Sequence, residues 1–228
     1  MKIAFLFPGQ GSQAVGMGKR FYEVSAAVRA LFAEASDVLG LDLARLCFDG
    51  PEADLGLTAN TQPAILTVSV ATAHVLAERK ITPQLAAGHS LGEYSALVVG
   101  GALSFRDAVR VVRKRGEFMQ EAVPLGTGAM AAILGLNLQT VEEICQEVAR
   151  PGRDGSPGVV SVANINSAIQ IVIAGHKAAV ERAVALSAER GGSKSVFLPV
   201  SAPFHSPLMQ PAAEWLAKEL ERVVVSPP

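Results

Sequence analysis

The sequence has few cysteines, few aromatic residues and no strong charge of either sign. Of its 228 residues only two are cysteines, Cys47 and Cys145, and they lie far apart without a C-x-x-C pair or a nearby histidine cluster. This pattern argues against a metal centre or a redox pair, so we interpret both as packing residues and expect no metal. The net charge of −1 argues against a nucleic-acid-binding protein.

The chain also lacks a long hydrophobic run. No apolar stretch of its sequence reaches the roughly 18 to 20 residues that cross a bilayer. The first apolar segment, 3–7, ends at Pro8 and is too short for a signal peptide. We therefore expect a cytoplasmic protein with no membrane partner. Hydrophobic residues make up 50% of the chain, which is enough to bury a large core in one large domain or two unequal ones.

The most informative stretch is a G-x-S-x-G motif formed by Gly88, Ser90 and Gly92. A short apolar strand, 85–87, precedes it and a helical pattern, 94–99, follows it, which is typical of a nucleophile elbow. In such a turn the serine hydroxyl projects from the sheet, and the flanking glycines avoid collisions. An ordinary glycine-rich turn is the alternative that the motif alone leaves open, but the flanking strand and helix favour Ser90 as a nucleophile.

A second glycine-rich loop follows the first strand. Residues 9–14 match the loose G-x-G-x-x-A fingerprint of dinucleotide-binding proteins. Gly16 and Gly18, however, fall where the next helix should begin, and Arg20 stands where a Walker motif has serine or threonine. We interpret the loop instead as one that brings backbone N–H groups and the Gln10 side chain close to a reacting atom.

Arg115 is a candidate for binding an anion. In the predicted helix 105–123 it shares one apolar stripe with Val112 and Met119, whereas neighbouring cations such as Arg113 are expected to face solvent. A guanidinium on an apolar stripe either extends outward to water or pairs with an anion. Because it follows a nucleophile elbow, we favour an anionic substrate group held by the guanidinium fork.

His205 is the candidate general base for Ser90. It lies between Pro203 and Pro207 in a rigid loop near the end of the chain. The remaining histidines have other expected places: His74 inside a helix, His89 beside the serine and His176 at the start of a helix.

The hydrophobic periodicity divides the chain into two α/β parts. The first alternates strands and covering helices, which implies an α/β layer with crossovers, in the order strand 3–7, helix 21–39, helix from 61, strand 85–87 and elbow helix. The second is predicted to contain strand 129–134, a helix capped by Thr140 and running to 149, loop 151–158, strands 159–163 and 169–174, helix 176–190 and strand 195–200. This βαββαβ order is that of a split ferredoxin-like unit. We therefore predict an inserted subdomain at 126–197 within a catalytic domain formed by 1–125 and 198–228.

Four motifs occur in this chain in a characteristic order: GQGSQ at 9–13, GHSLGE at 88–93, RGxFMQ at 115–120 and FH at 204–205. With them the whole chain resembles the malonyl-CoA:acyl-carrier-protein transacylases, an acyltransferase family of fatty acid and polyketide synthesis. The resemblance implies an α/β fold in which a hydrolase-like, parallel-sheet large domain carries a ferredoxin-like βαββαβ small subdomain.

The resemblance also implies roles for individual residues. Ser90 is expected to accept the acyl group, with His205 as its base. Arg115 is expected to bind the malonyl carboxylate, and the backbone N–H groups of Gln10 and Leu91 are expected to form the oxyanion hole. We further expect four residues to line the acyl pocket: Gln62, Met119, Asn164 and Phe204.

The implied reaction transfers a malonyl group from malonyl-CoA to the phosphopantetheine thiol of acyl carrier protein, through a malonyl-serine intermediate and without a bound cofactor. Chains of the family continue past the position of Pro228 and supply a glutamine that orients the catalytic histidine, so we expect a C-terminally incomplete catalytic domain. Two alternatives stay open. A serine esterase or thioesterase shares the elbow but has no use for a buried arginine, and an inactive carrier-protein-binding fragment needs no acyl-serine.

Overall fold

A computed structural model describes residues 2–124, 126–149, 158–200 and 202–228. The chain divides into two units, Met1–Glu117 with Leu216–Pro228 and Phe118–Trp215. The elements that begin in the first unit are β1 (Ala4–Phe7), α1 (Lys19–Val24), α2 (Ala26–Leu39), α3 (Leu43–Asp49), α4 (Glu52–Leu55), α5 (Thr58–Glu78), β2 (Leu85–Gly88), α6 (Gly92–Val99) and α7 (Phe105–Glu121). Those that begin in the second are β3 (Gly128–Leu134), α8 (Leu138–Val148), β4 (Val160–Ser167), β5 (Gln170–His176), α9 (Lys177–Glu189), β6 (Lys194–Phe197), a 3-10 turn (Pro207–Met209) and α10 (Gln210–Leu220).

The sheet of the first unit is a parallel pair. Strands β1 and β2 run in register from Ala4 beside Leu85 to Phe7 beside Gly88, and α6 packs on both. A continuous apolar run such as that of β1 is typical of a fully buried strand, but only Phe7 of β1 is buried, and Leu6 is 79% exposed. The helices cover only part of this two-stranded sheet, so the other side chains of β1 stay in contact with solvent.

Helices build the core of the first unit. Fully buried side chains of α2, α3, α5 and α7 meet there, including Val28, Phe32, Leu43, Leu66 and Val112. The single helix predicted for 21–39 is wrong, because Ser25 has an extended backbone and accepts a hydrogen bond from the Val28 N–H, which starts α2 as a new helix. Helices α3 and α4 were not predicted from the sequence, although Asp42 caps α3 by accepting from the Arg45 N–H.

Helix α5 begins at Thr58 rather than Thr61, so that Pro63 lies inside it. A proline has no N–H to donate, which leaves the carbonyl of Ala59 without its usual helical partner. Arg113 fills that place, since its Nη1 donates to the Ala59 oxygen at 3.1 Å while its Nε donates to Glu117 at 2.8 Å. Arg113 therefore faces α5, contrary to the prediction that it faces solvent, and it joins α7 to α5.

The second unit is a four-stranded antiparallel sheet in the order β4-β5-β3-β6. Along the chain α8 lies between β3 and β4, and α9 lies between β5 and β6. This is the βαββαβ order predicted from the sequence. Helix α8 starts one turn earlier than predicted, because Asn137 rather than Thr140 accepts the capping hydrogen bond, from the Thr140 N–H at 2.9 Å. The predicted loop 151–158 lies outside the described residues except for its last position.

Both faces of this second sheet are covered. Alternate strand residues such as Ile133 and Ile171 pack against α8 and α9, whereas Met130 and Val172 pack against side chains from 118–123 and 202–212. The observed unit, Phe118–Trp215, is therefore larger than the predicted insertion 126–197, because segments on either side of it supply the second layer of its core. The exact domain limits stay a prediction.

The two cysteines are buried in separate cores, Cys47 in the first unit and Cys145 in the second. Burial raises the pKa of both thiols to about 12, so the reactive thiolate is disfavoured. We expect the folded chain to react with iodoacetamide far more slowly than a free cysteine at about pH 8, and both thiols to react once it is unfolded. Mass spectrometry of the alkylated chain measures this. Rapid labelling of either cysteine in the folded chain would contradict their assignment as packing residues.

Candidate active site

Ser90 lies in a tight turn between β2 and α6. Its φ of 54° is in the left-handed region, which costs a non-glycine residue of the order of 1 to 3 kcal/mol. The glycines on either side are sterically required: a Cβ on Gly88 would lie 1.9 Å from the Gly92 carbonyl carbon, and a Cβ on Gly92 would lie 2.2 Å from the Phe7 oxygen. The turn therefore has the strand, serine and helix arrangement of a nucleophile elbow.

The loop after β1 lies directly beside this elbow. Since β1 and β2 are parallel and in register, the residues that follow Phe7 and Gly88 leave the same edge of the pair. Gly9 is in such close contact that a Cβ there would lie 2.6 Å from the His89 oxygen. Within the described parts of the chain, neither the backbone N–H of Gln10 nor that of Leu91 donates a hydrogen bond to another residue. These two backbone N–H groups, on segments that flank Ser90, are the candidate donors to a substrate oxygen.

Arg115 reaches the serine from α7. Its Nη2 donates to Ser90 Oγ at 3.0 Å, and its Nη1 donates to Oε1 of Gln62 at 2.9 Å. The Gln62 side chain is completely buried, and the guanidinium carbon lies 5.9 Å from the ring centre of Tyr94. The structure therefore brings together three of the predicted site residues, Ser90, Gln62 and Arg115.

The guanidinium is a buried cation without a carboxylate. Among the ion pairs of the described residues none involves Arg115. Burial lowers the pKa of Arg115 from its usual range, and electrostatic interactions with Tyr94 and Glu93 offset part of that effect. Toward the described residues the guanidinium uses two of its five N–H groups, one to Gln62 and one to Ser90. The other three can donate hydrogen bonds to an anion next to the serine. A buried, incompletely paired cation indicates an anion-binding position.

Two residues of this site were not predicted from the sequence. Tyr94 lies one helical turn after Ser90 and faces Arg115, and burial raises the pKa of its phenol although Arg115 opposes the shift. Thr58 lies one turn before Gln62, and its Oγ1 accepts from Gln10 Nε2 at 3.1 Å. The Gln10 side chain, which we expected near the reacting atom, is thus bonded to Thr58. The spacing of four along a helix was the available signal for both residues.

The other predicted site residues belong to the second unit. His205 is exposed, with a φ of 58°, and is flanked by the buried residues Phe204 and Ser206. Ser206 Oγ donates to the Pro203 oxygen at 2.7 Å, which shapes this loop. Phe204 and Met119 lie in the same apolar core, and the half-buried Asn164 lies at a register shift of β4. The roles of these residues toward Ser90 stay predictions.

The described ranges contain neither a cluster of metal-binding side chains nor a helix suited to cross a membrane. No group of three or more histidine, cysteine, aspartate or glutamate side chains there is arranged to hold a metal ion. Within the same ranges, every helix is too short or too polar to cross a membrane.

Comparison with known proteins identifies the family. Residues 4–228 match the acyl transferase domain family. The malonyl CoA-acyl carrier protein transacylase of Bacillus subtilis is 53% identical over 96% of this chain and 68% of its own length.

Solved structures agree with this match. An acyl carrier protein S-malonyltransferase from Vibrio cholerae is 49% identical, with a TM-score of 0.94 over 100% of this chain and 73% of that one. A malonyl-transacylase solved in complex with its type II PKS acyl-carrier protein is 48% identical, with a TM-score of 0.93 over 99% of this chain and 72% of the matched chain. These similarities confirm the predicted α/β fold class. The chain therefore belongs to the acyl transferase domain family, among the malonyl CoA-acyl carrier protein transacylases.

Proposed function

We propose that this chain is an S-malonyltransferase that moves a malonyl group from malonyl-CoA to the phosphopantetheine thiol of an acyl carrier protein. One observation carries the proposal: an arginine cation without a carboxylate partner lies 3.0 Å from the hydroxyl of an elbow serine. A malonyl thioester has an electrophilic carbonyl and a carboxylate separated by a single methylene group. Such a molecule can present the first to Ser90 and the second to Arg115.

In the first half-reaction Ser90 loses its proton to His205 while Oγ attacks the thioester carbonyl carbon. The negative charge that develops on the carbonyl oxygen is received by the backbone N–H groups of Gln10 and Leu91, a type of donor whose loss typically costs about 3 to 4 kcal/mol. The tetrahedral intermediate then collapses and breaks the carbon–sulfur bond. Coenzyme A leaves as a thiol after taking the proton from His205, which leaves malonyl-serine.

The second half-reaction runs the same steps with the carrier-protein thiol as nucleophile. His205 takes the thiol proton, the sulfur attacks the ester carbonyl, and the proton is returned to Ser90 as the carbon–oxygen bond breaks. Arg115 keeps the malonyl carboxylate in place between the two halves, so the acyl group waits in a fixed orientation for the thiol. We propose that no bound cofactor or metal takes part, and the cytoplasmic location stays a prediction.

Intact-mass spectrometry after exposure to malonyl-CoA tests this proposal. We expect the chain to gain the mass of one malonyl group and to lose it again when a phosphopantetheinylated acyl carrier protein is added, with malonyl carrier protein as the product. Release of free malonate at the same rate without carrier protein would support the esterase alternative. If no adduct forms at all, the chain is an inactive or purely binding module and the proposal is wrong.

A further inference from the structure

Thr58 connects the glycine-rich loop that contains Gln10 to helix α5. It is the first residue of α5, its side chain is 1% exposed, and its Oγ1 accepts a hydrogen bond from Gln10 Nε2 at 3.1 Å. Gln10 precedes Gly11, whose φ of 103° is open only to glycine without strain. Two further hydrogen bonds of this loop, Ser12 Oγ to the Gly9 oxygen and Gly11 N–H to Gln13 Oε1, join loop residues to one another.

The helix that carries Thr58 is well fixed. Arg113 donates to the Ala59 carbonyl, and α7 approaches so closely that a Cβ on Gly116 would lie 2.6 Å from the Ala59 Cα. A hydroxyl at the start of such a helix is held to a small range of positions. The Gln10 side chain bonded to it is held in turn, and with it the backbone N–H of the same residue.

We propose that Thr58 is a positioning residue for the oxyanion donor of Gln10. The inference rests on the proposed acyl transfer, since it presumes that the Gln10 N–H receives the charge that develops on the carbonyl oxygen. Every acyl group places a carbonyl oxygen there, whereas only malonyl places a carboxylate on Arg115. A substitution that removes the Thr58 acceptor should therefore slow acylation by all thioesters alike. A substitution of Arg115 should slow acylation by malonyl thioesters more than by acetyl thioesters.

The test is single-turnover acylation of Ser90 by saturating malonyl-CoA and acetyl-CoA. Thr58→Val keeps the shape and removes the acceptor. Since complete loss of one oxyanion donor costs about a hundred- to a thousandfold, we expect its displacement to slow both reactions by roughly tenfold or more and by the same factor. The concentration of thioester needed for half-saturation should stay the same, because the ground state makes little use of this donor. Thr58→Ser, which retains the hydroxyl, should restore most of the rate.

Thr61→Val is the matched control. Thr61 is also a buried threonine in the first turns of α5, but its hydroxyl donates to backbone carbonyls, including that of Leu57 at 3.0 Å, rather than to the loop. We expect it to lower the melting temperature at least as much as Thr58→Val and to leave both acylation rates unchanged.

Three results would overturn the inference: unchanged rates in Thr58→Val, a loss confined to malonyl-CoA, or the same loss in Thr61→Val. The first would show that Gln10 is placed without Thr58. The second would assign Thr58 to the carboxylate site, and the third would show a general disturbance of α5. Failure of the unaltered chain to form any acyl-serine is a different outcome, because it contradicts the proposed function itself.

Discussion

A Ser90→Ala chain gains no malonyl mass after incubation with malonyl-CoA, whereas the unaltered chain gains one malonyl group. This is the largest effect we expect, because the substitution removes the oxygen that forms the ester bond. The fold should survive, because alanine differs from serine only by the missing hydroxyl and takes up no additional space in the turn. Intact-mass spectrometry gives the result directly, and circular dichroism checks the fold.

Ser95→Ala is the matched control for this experiment. Ser95 lies in the same elbow helix and is completely buried, and its hydroxyl has no hydrogen-bond partner in the described part of the chain. Its removal should leave labelling intact and stability equal or higher, because an unsatisfied buried hydroxyl is costly. A malonyl adduct on the Ser90→Ala chain would mean that another residue is the nucleophile.

The second large effect concerns Arg115. We expect Arg115→Ala to slow malonyl transfer by roughly a hundredfold to several thousandfold, the equivalent of the 3 to 5 kcal/mol that loss of one member of a buried charge pair typically costs. Transfer of an acetyl group should escape this loss because acetyl has no carboxylate. The preference therefore shifts toward acetyl, since the substitution leaves the proposed nucleophile and base, Ser90 and His205, in place. Rates with malonyl-CoA and acetyl-CoA, measured side by side, give the ratio.

Two further variants sharpen the interpretation of that ratio. Arg115→Lys should rescue malonyl transfer only in part, because an ammonium group cannot donate to Gln62 and hold a carboxylate in the same plane. Arg110→Ala removes an arginine of the same helix that pairs with Asp107 at the surface, and it should leave the ratio unchanged. Equal losses for malonyl and acetyl in Arg115→Ala would show that Arg115 supports the fold instead of recognising the substrate.

Features encoded by neighbouring residues could be predicted from the sequence. The elbow at Ser90 depends on glycines two residues away on either side, and the second unit depends on periodic apolar patterns within each strand and helix. Both follow from local sterics and from burial of one face of an element. The break at Ser25 was missed although its cap to Val28 is local, whereas the start of α5 before Pro63 depends on a side chain 54 residues away.

The amino-acid sequence by itself determined the kinds of chemistry this protein carries: a serine at a strained turn, an arginine on an apolar stripe and a glycine-rich loop. The tertiary structure decided how these groups meet. Gln62 lies 53 positions from Arg115 and Thr58 lies 48 from Gln10, so no local pattern relates them. Packing of α7 against α5 brings Arg115 to Gln62, and the loop after β1 brings Gln10 to Thr58. The guanidinium beside Ser90 has a neutral acceptor, Gln62, in place of a carboxylate, and burial lowers its pKa, so an anionic ligand stabilises its charged form.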